Sequence, residues 1–443
     1  MYPSNGLKTA LNAMREMSIA DGKAFHQYVP LVNDDTTIGE WGVPILDSQN
    51  LNVMNDFVSL LKKVVYTAVY NKTFNNPLAF LEGDRLPLGN FIENTYVNPA
   101  EGVGYDPNDF VGLLEKYSAE VAVEYLHLSS DVQFKVSITR DKIRNAFTSW
   151  DNLEAFVSGL VNSLYNGCYI RRYNATKALV TGAYVGNNIQ YEVVSDVTDE
   201  QTAKALLRKI RSTYSKMQIP STHYNAWEKV KGDRMALQTW SDPQDIVILI
   251  SADVEAMLDT EVLASAFNLS LTDYLARKVT IDSFSVYNRD GSLAVDGSAI
   301  KCAVLDRAWF KIKTQDFAMD EFFNPNVRVW TYFLNDTRME NFSLFANGVV
   351  FATSAPSVDA TDLSIETASV TLKAGETVKV PFEITPANAT STISVTSSAS
   401  TYATGSVSGR DIVVEGKTEG SATLTVTANG HSDTISVTVQ AAS

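Results

Sequence analysis

The sequence predicts a mixed α+β part followed by an all-β sandwich, and three observations lead to that fold class. The chain has 443 residues, which is enough for two or three domains of ordinary size. Near residues 355–357 its composition changes to a stretch that is about one third Ser and Thr. Helical and strand patterns alternate before that point and only short strand patterns follow it, so we predict a domain boundary there.

The first elements predict surface that a neighbouring molecule covers. Residues 1–50 show little periodicity and predict an arm. Residues 69–138 combine alternating strand patterns near 121–125 and 134–138 with a loose middle rich in Pro and Gly. A compact domain rarely carries so long an extended excursion, so we expect another subunit to cover it.

Two long amphipathic helices are predicted next. From Asp151 to about residue 180, apolar residues including Leu160 recur at i, i+3 and i+4 spacing, and Asp151 with Glu154 predicts a capping box. Glu200–Met217 repeats the apolar spacing and carries its basic residues on the opposite side. Each stripe indicates a helix that packs on a core along one side.

The remainder of the first part alternates strands with short helices. The apolar run Ile246–Ile250 predicts a buried strand, and helical patterns follow at 253–258 and 261–267. Asp290-Gly291 predicts a hairpin turn. Strand patterns at 327–334 and 344–351 complete this part.

Six short alternating segments rich in β-branched residues predict the sandwich. Turn residues separate them, and strands that recur every 8–12 residues or so are typical of Ig-like sandwiches. The segments are Ser369–Leu372, Thr377–Ile384, Thr392–Thr396, Asp411–Val414, Ala422–Thr427 and Thr434–Val439.

Charge and cysteine content argue against several classes of protein. The formal net charge is −15 and the sequence pI is about 4.8, which disfavours a groove that grips nucleic-acid phosphates. The two cysteines, Cys168 and Cys302, are too few for a disulfide scaffold and are predicted to be free thiols. Neither a signal peptide nor a membrane-spanning run is recognisable, so we expect a soluble protein made in a cytosol.

No catalytic constellation is recognisable either. The chain lacks the spacings of histidine-based metal sites, and its four histidines are scattered. They are His26, His127, His223 and His431. We therefore predict no catalytic residues, no metal ligands, no cofactor-binding residues and no enzyme.

Three segments resemble ligand loops only in composition. Gly416-Lys417-Thr418 resembles the end of a phosphate-binding loop, but Asp411 occupies the place of the required first glycine. Gly405–Gly409 has Val407 where a nucleophilic Ser belongs. Asp290-Gly291 and Asp296-Gly297 lack the bidentate Glu of a calcium loop, so plain turns are predicted.

Several runs of residues resemble one known family. They are Ser149–Ser158 with Leu164-Tyr165-Asn166, Ile248–Asp253 with Leu263–Asn268, Asp273, Ile281-Asp282, Phe342–Asn347, and Leu86–Gly89 within the excursion. Collinear across residues 1–354, they resemble the major capsid proteins of phi29-like podophages, which have the Hong Kong 97 phage-capsid fold. The region after residue 355 separately resembles a bacterial Ig-like group 2 domain through Val370–Val378, Ile384–Thr390 and Glu419–Thr427.

The resemblance implies a division of the chain into named parts. Residues 1–354 would be the capsid shell domain and residues 355–443 the Ig-like group 2 domain. Within the shell domain the implied parts are an N-arm region at 1–68, an E-loop region at 69–138, a peripheral domain with the spine helix at 139–199 and 324–354, and an axial domain at 200–323.

The resemblance also implies a function and its partners. The chain would be a major capsid protein of a tailed bacteriophage, self-assembling through pentamers and hexamers into an icosahedral head around packaged double-stranded DNA. The implied partners are further copies, a scaffolding protein during assembly, a portal at one vertex, and genomic DNA held without sequence-specific binding. No cofactor and no membrane partner are expected, and the virion, assembled in the host cytoplasm, is the expected location.

Crosslinking of subunits is not expected. Some capsids of this fold form Lys–Asn isopeptide bonds, and Lys72 with Asn71, Asn75 or Asn76 offers the residue types. Such residues are ordinary in loops, so their presence alone does not predict the bond.

Two other classes of protein stay open. A bacterial surface or adhesin-type protein would explain the Ig-like domain, but it needs an export signal, which is not recognisable. An encapsulin-like cargo shell would share the shell fold, but it does not predict the Ig-like appendage.

Overall fold

The computed structural model describes residues 5–47, 51–68, 74–86, 91–102, 118–232, 235–261 and 277–441. The chain divides into two compact units. Unit 1 comprises Met1–Phe91, His127–Thr176 and Ile312–Glu340, and unit 2 comprises Ile92–Leu126, Lys177–Lys311 and Asn341–Ser443. Each unit is therefore built from segments that lie far apart in the sequence.

The elements are numbered in chain order. The helices are α1 (Asn5–Ala20), α2 (Phe25–Tyr28), α3 (Ile38–Leu46), α4 (Leu51–Ala68), α5 (Arg140–Ala146), α6 (Trp150–Val185), α7 (Glu200–Met217), α8 (Trp227–Lys231) and α9 (Ala252–Glu261). The strands are β1 (Phe91–Val97), β2 (Val121–His127), β3 (Ser130–Thr139), β4 (Gln190–Val193), β5 (Ile246–Ser251), β6 (Arg277–Ile281), β7 (Val286–Tyr287), β8 (Leu293–Val295), β9 (Ile300–Asp306), β10 (Phe310–Asn324), β11 (Val329–Phe342), β12 (Gly348–Ala352), β13 (Asp362–Ile365), β14 (Ser369–Lys373), β15 (Thr377–Thr385), β16 (Ile393–Ser397), β17 (Ala403–Ser408), β18 (Asp411–Gly416), β19 (Gly420–Ala428) and β20 (His431–Gln440). None of the described helices is long and apolar enough to cross a membrane.

Helices at the start of the chain pack into the core of unit 1. The expected lack of regular structure over residues 1–50 is therefore wrong for the described residues, which form α1, α2 and α3, whereas the N-arm region at 1–68 remains a prediction. Leu7, Leu11 and Met14 recur at i, i+4 and i+7 in α1 and are buried in this core. The stripe is narrow, so its burial depends on the neighbouring helices, which the local pattern does not reveal.

Aromatic side chains fill this helical core. The Trp41 ring lies edge-on to Phe25 and Phe57, with centroid distances of 5.8 and 5.9 Å. Thr37 and Glu40 form a capping box at the start of α3, which fixes the helix start and places Trp41 in its first turn.

The long predicted helix is α6. It has 36 residues, so it is about 54 Å long at ~1.5 Å per residue. Its N-cap is Ser149, whose Oγ accepts a hydrogen bond from the Asn152 N–H at 3.2 Å. The predicted capping box of Asp151 and Glu154 is wrong, because Ser149 is an equally strong N-cap residue and starts the helix two positions earlier.

The apolar stripe of α6 is buried in unit 1. Leu153, Leu164 and Cys168 belong to its core, as the spacing predicts. The side chain of Leu160, in the same stripe, lies outside the described residues. A three-stranded sheet in the order β10-β11-β3 contributes Trp330, among others, to the same core.

The centre of unit 2 is a five-stranded sheet in the order β4-β12-β9-β5-β6. Every residue of β5 is buried, which confirms the predicted buried strand. Helix α7 has the predicted bounds, and Asp199 caps it by accepting from the Thr202 N–H at 2.8 Å. Helix α9 confirms the pattern at 253–258, whereas the helix predicted at 261–267 lies beyond Glu261 outside the described residues.

The sheet crosses the domain boundaries that the resemblance implied. Strands β4 and β12 come from the stretches 139–199 and 324–354, yet they share a sheet with β5, β6 and β9 from 200–323. Strand patterns identify strands but not their partners, so they could not reveal this arrangement. The peripheral and axial boundaries stay a proposal.

The Ig-like domain consists of two four-stranded sheets, β13-β15-β18-β17 and β14-β20-β19-β16. All six predicted strands are present, and the sequence analysis missed β13 and β17. Strand β17 contains Gly405, and glycine is a residue that strands disfavour. Glycine is needed at this position because a Cβ there would lie 2.7 Å from Val395 Cγ1. Apolar residues such as Leu424 and Val426 alternate inward along β19 and form the core between the sheets.

Candidate assembly surfaces and a buried ion network

The histidines lie on separate elements. His26 is in α2, His127 ends β2, His223 precedes α8 and His431 begins β20. In the part of the chain that the structure describes, no group of three or more His, Cys, Asp and Glu side chains could hold a metal ion. That the chain binds no metal or cofactor and is no enzyme remains a prediction.

Both cysteines are buried free thiols, as predicted. Burial, followed by the nearby Asp336 carboxylate, raises the pKa of Cys168 to about 12. Burial also raises the pKa of Cys302 far above its ordinary value. Because the thiolate is the nucleophile and the metal ligand, neither thiol is prepared for such a role at neutral pH.

The segments that resemble ligand loops form turns and strand ends. Gly416 ends β18, and the Lys417 N–H donates to Tyr402 O at 2.7 Å. Asp290 and Asp296 each accept a hydrogen bond from the N–H two residues later, at 2.9 Å. These contacts confirm the predicted plain turns.

Strands β1 and β2 form a two-stranded sheet by themselves, and such ribbons are marginal in isolation. Tyr125, on β2, is 57% exposed. Large apolar side chains that are exposed on one face of a strand pair make that face a candidate assembly surface. We call the exposed large apolar side chains that these strands contribute within unit 2 the ribbon surface: Val97, Val121 and Tyr125.

The inward side of β2 is held by a buried carboxylate. Glu124 accepts from Asn94 Nδ2 at 2.6 Å, from Ser343 Oγ at 2.5 Å and from the Leu344 N–H at 2.8 Å. A charge is tolerated in a buried site when its oxygens are satisfied in this way. The ribbon is thus anchored on one side and exposed on the other.

Unit 1 contains a set of buried and half-buried charges, which we call the ion network: Glu82, Arg171, Arg172, Asp336, Arg338 and Glu340. Arg172 binds Asp336 through two hydrogen bonds, Nη2 to Oδ1 at 2.6 Å and Nε to Oδ2 at 3.1 Å. Arg338, only 2% exposed, lies 3.0 Å from Glu82 and 3.6 Å from Glu340. Arg171 pairs with Glu340 at 3.0 Å.

The pKa values of the two central arginines, Arg172 and Arg338, shift in opposite directions. Burial would lower the pKa of Arg172, but its hydrogen bonds to Asp336 and the surrounding charges raise it above the ordinary value. Burial and the like charge of Arg172 lower the pKa of Arg338, against the attraction of Glu82. Glu82 pairs with both guanidinium groups, at 3.5 Å from Arg172 and 3.0 Å from Arg338, so its negative charge helps to offset the repulsion between them.

The backbone of residues 82–86 holds an extended segment against β10 in unit 1. The Gly83 N–H donates to Ile312 O at 2.8 Å, and the Leu86 N–H donates to Thr314 O at 2.9 Å. The base of the 69–138 excursion is thereby fixed at residues 82–86. Residues 69–73, 87–90 and 103–117, including Lys72 and Pro87–Gly89, lie outside the described residues.

Local sequence patterns did not predict the ion network, although one signal was present. Asp336, Arg338 and Glu340 alternate along one strand, so they share one face and point to common partners. The partners, Glu82 and the adjacent pair Arg171-Arg172, lie more than 150 positions away, and nothing local identifies them.

Comparisons with known proteins give the family. The model of the Phi29-like phage major capsid proteins matches residues 11–352, and the model of the bacterial Ig-like domain, group 2, matches residues 359–439. The major capsid protein of Bacillus phage PZA is 28% identical over 356 residues, covering 78% of this chain and 75% of the relative. That of Streptococcus phage Cp-1 is 24% identical over 349 residues, covering 76% and 92%.

Solved structures give the fold. A chain of the capsid structure of Staphylococcus phage Andhra aligns with a TM-score of 0.50 at 14% identity, covering 64% of this chain and 86% of that chain. A chain of the structure of native bacteriophage P68 aligns with a TM-score of 0.50 at 15% identity, covering 65% and 87%. A bacterial surface protein and an encapsulin-like shell are not favoured. The chain has the Hong Kong 97-like fold and carries a C-terminal bacterial Ig-like domain. It therefore belongs to the Phi29-like phage major capsid protein family and assembles with further copies of itself into an icosahedral shell.

Proposed function

We propose that this capsid protein assembles in the host cytoplasm around a scaffolding protein, with a portal at one vertex, and encloses genomic DNA without gripping it. It performs no catalysis. Residues 1–68 serve as the N-arm region, 69–138 as the E-loop region, 139–199 with 324–354 as the peripheral domain, and 200–323 as the axial domain. The Ig-like domain at 355–443 is an outer decoration.

The ribbon surface carries the proposal for the E-loop region. Its large apolar side chains are exposed on a strand pair whose other side is anchored through Glu124. A strand pair that is anchored on one face and exposes apolar side chains on the other suits a loop that lies on a neighbouring copy. Burial of the exposed face against that copy removes its apolar area from water.

Charge supports passive enclosure of DNA. The Ig-like part has nine Asp and Glu against four Lys and Arg, a net charge of −5, which leaves −10 for residues 1–354. A shell of that charge repels phosphate on average, so DNA can enter and leave without long-lived contacts.

Co-expression with a scaffolding protein tests the proposal. Electron microscopy should show closed shells for the parent chain and none for Tyr125→Asp, because a carboxylate on the ribbon surface opposes burial against a neighbour. The matched control is Val407→Asp, an exposed apolar position of the Ig-like domain that is 40% exposed and should still give shells.

The two variants separate the outcomes. Normal shells from Tyr125→Asp would remove the ribbon surface from the assembly interface. Failure of Val407→Asp would show that the Ig-like domain takes part in shell contacts, against its role as a decoration.

A further inference from the structure

The connection between the shell part and the Ig-like domain is short, and hydrogen bonds anchor it at both ends. The Tyr184 hydroxyl donates to Ser354 O, and the Val358 N–H donates to Thr390 Oγ1 at 2.8 Å. Three residues, 355–357, lie between these anchors. A short linker limits how far the domain can move, but it does not by itself select one orientation.

The end of α6 offers a polar contact to the Ig-like domain. The Asn188 N–H donates to Ala183 O at 2.7 Å and the Asn187 N–H to Tyr184 O at 2.9 Å, which is a Schellman motif with Asn187 in the left-handed region at φ 52°. This motif satisfies carbonyls of the last helical turn. The carbonyl of Gly186, just past the helix, still needs a donor.

Asn388 of the Ig-like domain supplies that donor. Its Nδ2 donates to Gly186 O at 2.5 Å and to Asn188 Oδ1 at 2.8 Å. In return, Asn187 Nδ2 donates to Asn388 O at 2.7 Å. Asn187 is 4% exposed and Asn388 8% exposed, so this exchange is shielded from water.

Arg410 makes a second contact at the end of another helix. Its Nη2 donates to Glu228 O at 3.3 Å and Lys229 O at 3.4 Å, both near the C-terminal end of α8. It also donates to Ala387 O at 3.1 Å, next to Asn388. One guanidinium thus joins α8 to the turn that carries Asn388.

Gly232 makes room for this contact. It ends α8 at φ 70°, where glycine is favoured, and a Cβ there would lie 3.0 Å from Arg410 Nη1 and 3.1 Å from Ala387 Cβ. The glycine on the shell side thus leaves space for the Arg410 side chain of the Ig-like domain. A cleft of about 390 Å³, lined in part by Lys231 and Glu383, lies beside Arg410.

We propose that Asn388 and Arg410 are positioning residues that cap the ends of α6 and α8 and hold the Ig-like domain in one orientation on the shell part. We call Asn187, Gly232, Asn388 and Arg410 the docking joint. The joint consists of polar contacts and a glycine, so its loss should free the domain while both parts stay folded.

Distance measurements on the full chain test this proposal. Spin labels are placed at Ser215→Cys in α7 and Thr423→Cys in β19, both exposed positions, while Cys168 and Cys302 are buried and unreactive. Labelled chains are diluted with unlabelled chain, so that electron–electron resonance reports only distances within one molecule. The parent should give one narrow distance distribution.

The joint is broken by Asn388→Asp combined with Arg410→Ala. Asn388→Asp is isosteric and replaces two donated hydrogen bonds by contacts between oxygens. The distribution should broaden by on the order of 10 Å, the reach of a three-residue linker at ~5–6 Å × √n. The matched control is Lys417→Ala, a cation at the other end of β18 from Arg410, which should leave the distribution narrow.

Hydrogen exchange of β19 and β20 accompanies each measurement and should be unchanged, because the sandwich core does not involve the joint. A narrow distribution in the double variant, or a broad one in the parent, would overturn the proposal. Asn388→Asp alone should broaden the distribution partially, and no change in it would assign the orientation to Arg410 and remove Asn388 from the joint.

Discussion

Strand β11 in unit 1 and strand β19 in the Ig-like domain both bury one face, but they bury different chemistry. Along its inward face β11 passes from Leu334 to the charged side chains of Asp336 and Arg338, all buried. Strand β19 buries only apolar residues such as Leu424 and Val426, with Thr between them. The apolar face can pack against any apolar partner, whereas each buried charge requires one specific partner. Unit 1 therefore depends on distant residues in a way that the sandwich does not.

The largest effect is expected where a charge of the ion network is removed. Arg338→Met removes a buried guanidinium and leaves the half-buried carboxylate of Glu82 with one guanidinium instead of two, so the cost should approach the ~3–5 kcal/mol of breaking a fully buried pair. Denaturant unfolding, monitored by aromatic fluorescence, should show a correspondingly lower free energy of unfolding. The control, Arg85→Met, removes an exposed pair with Asp316 at 3.9 Å and should change stability by less than about 1 kcal/mol. Equal losses in both variants would contradict the importance of the network.

A cavity in the sandwich should have a large but local effect. Leu424→Ala in the core of the Ig-like domain should cost about 2–5 kcal/mol, because the removed side chain is fully buried. Calorimetry should show a lower melting temperature for the Ig-like transition and an unchanged transition for the rest. If the whole chain melts earlier by the same amount, the two parts unfold together and the comparison fails.

A buried amine in unit 2 should give the chain a distinctive alkaline pH dependence. Burial lowers the pKa of Lys229 to about 8 in the folded state, below the ~10.4 of an exposed lysine. Between these values the unfolded chain binds more protons, so this group makes stability rise with pH from about 8 to 10, by at most ~1.4 kcal/mol per pH unit.

Urea unfolding of the parent and of Lys229→Met at several pH values measures this contribution. As pH rises through this window, the unfolding free energy of the parent should increase relative to that of Lys229→Met, since methionine does not titrate. Parallel pH profiles would contradict the lowered pKa. Lys417→Met, at an exposed lysine, should follow the parent.

The smallest effect on assembly is expected from removal of the Ig-like domain. Its described apolar core lies between its own two sheets, with Ser and Thr facing outward, so shell formation by residues 1–354 should not require the domain. A chain ending at Ser354 should form shells with scaffolding protein, and cryo-electron microscopy should show loss of density from the outer face only. Absence of shells, or loss of density from the inner face, would contradict this prediction.

The sequence by itself determined the elements that carry their own signal. The stripe of α7, the apolar run of β5, the turn at Asp290-Gly291 and six strands of the sandwich all follow from local spacing. These features are set by contacts between residues close in the chain, or by a face that any apolar partner can cover. The family resemblance across residues 1–354 likewise needed only the residues themselves.

The tertiary structure alone decided which elements meet. It packed the helices α1–α3 into a core, joined β4 and β12 to the sheet of β5, and assembled the ion network from Glu82, Arg172 and Arg338. It also brought Asn388 to the end of α6. Each of these depends on a partner more than a hundred positions away or on burial supplied by neighbouring elements, and local propensity contains no term for either.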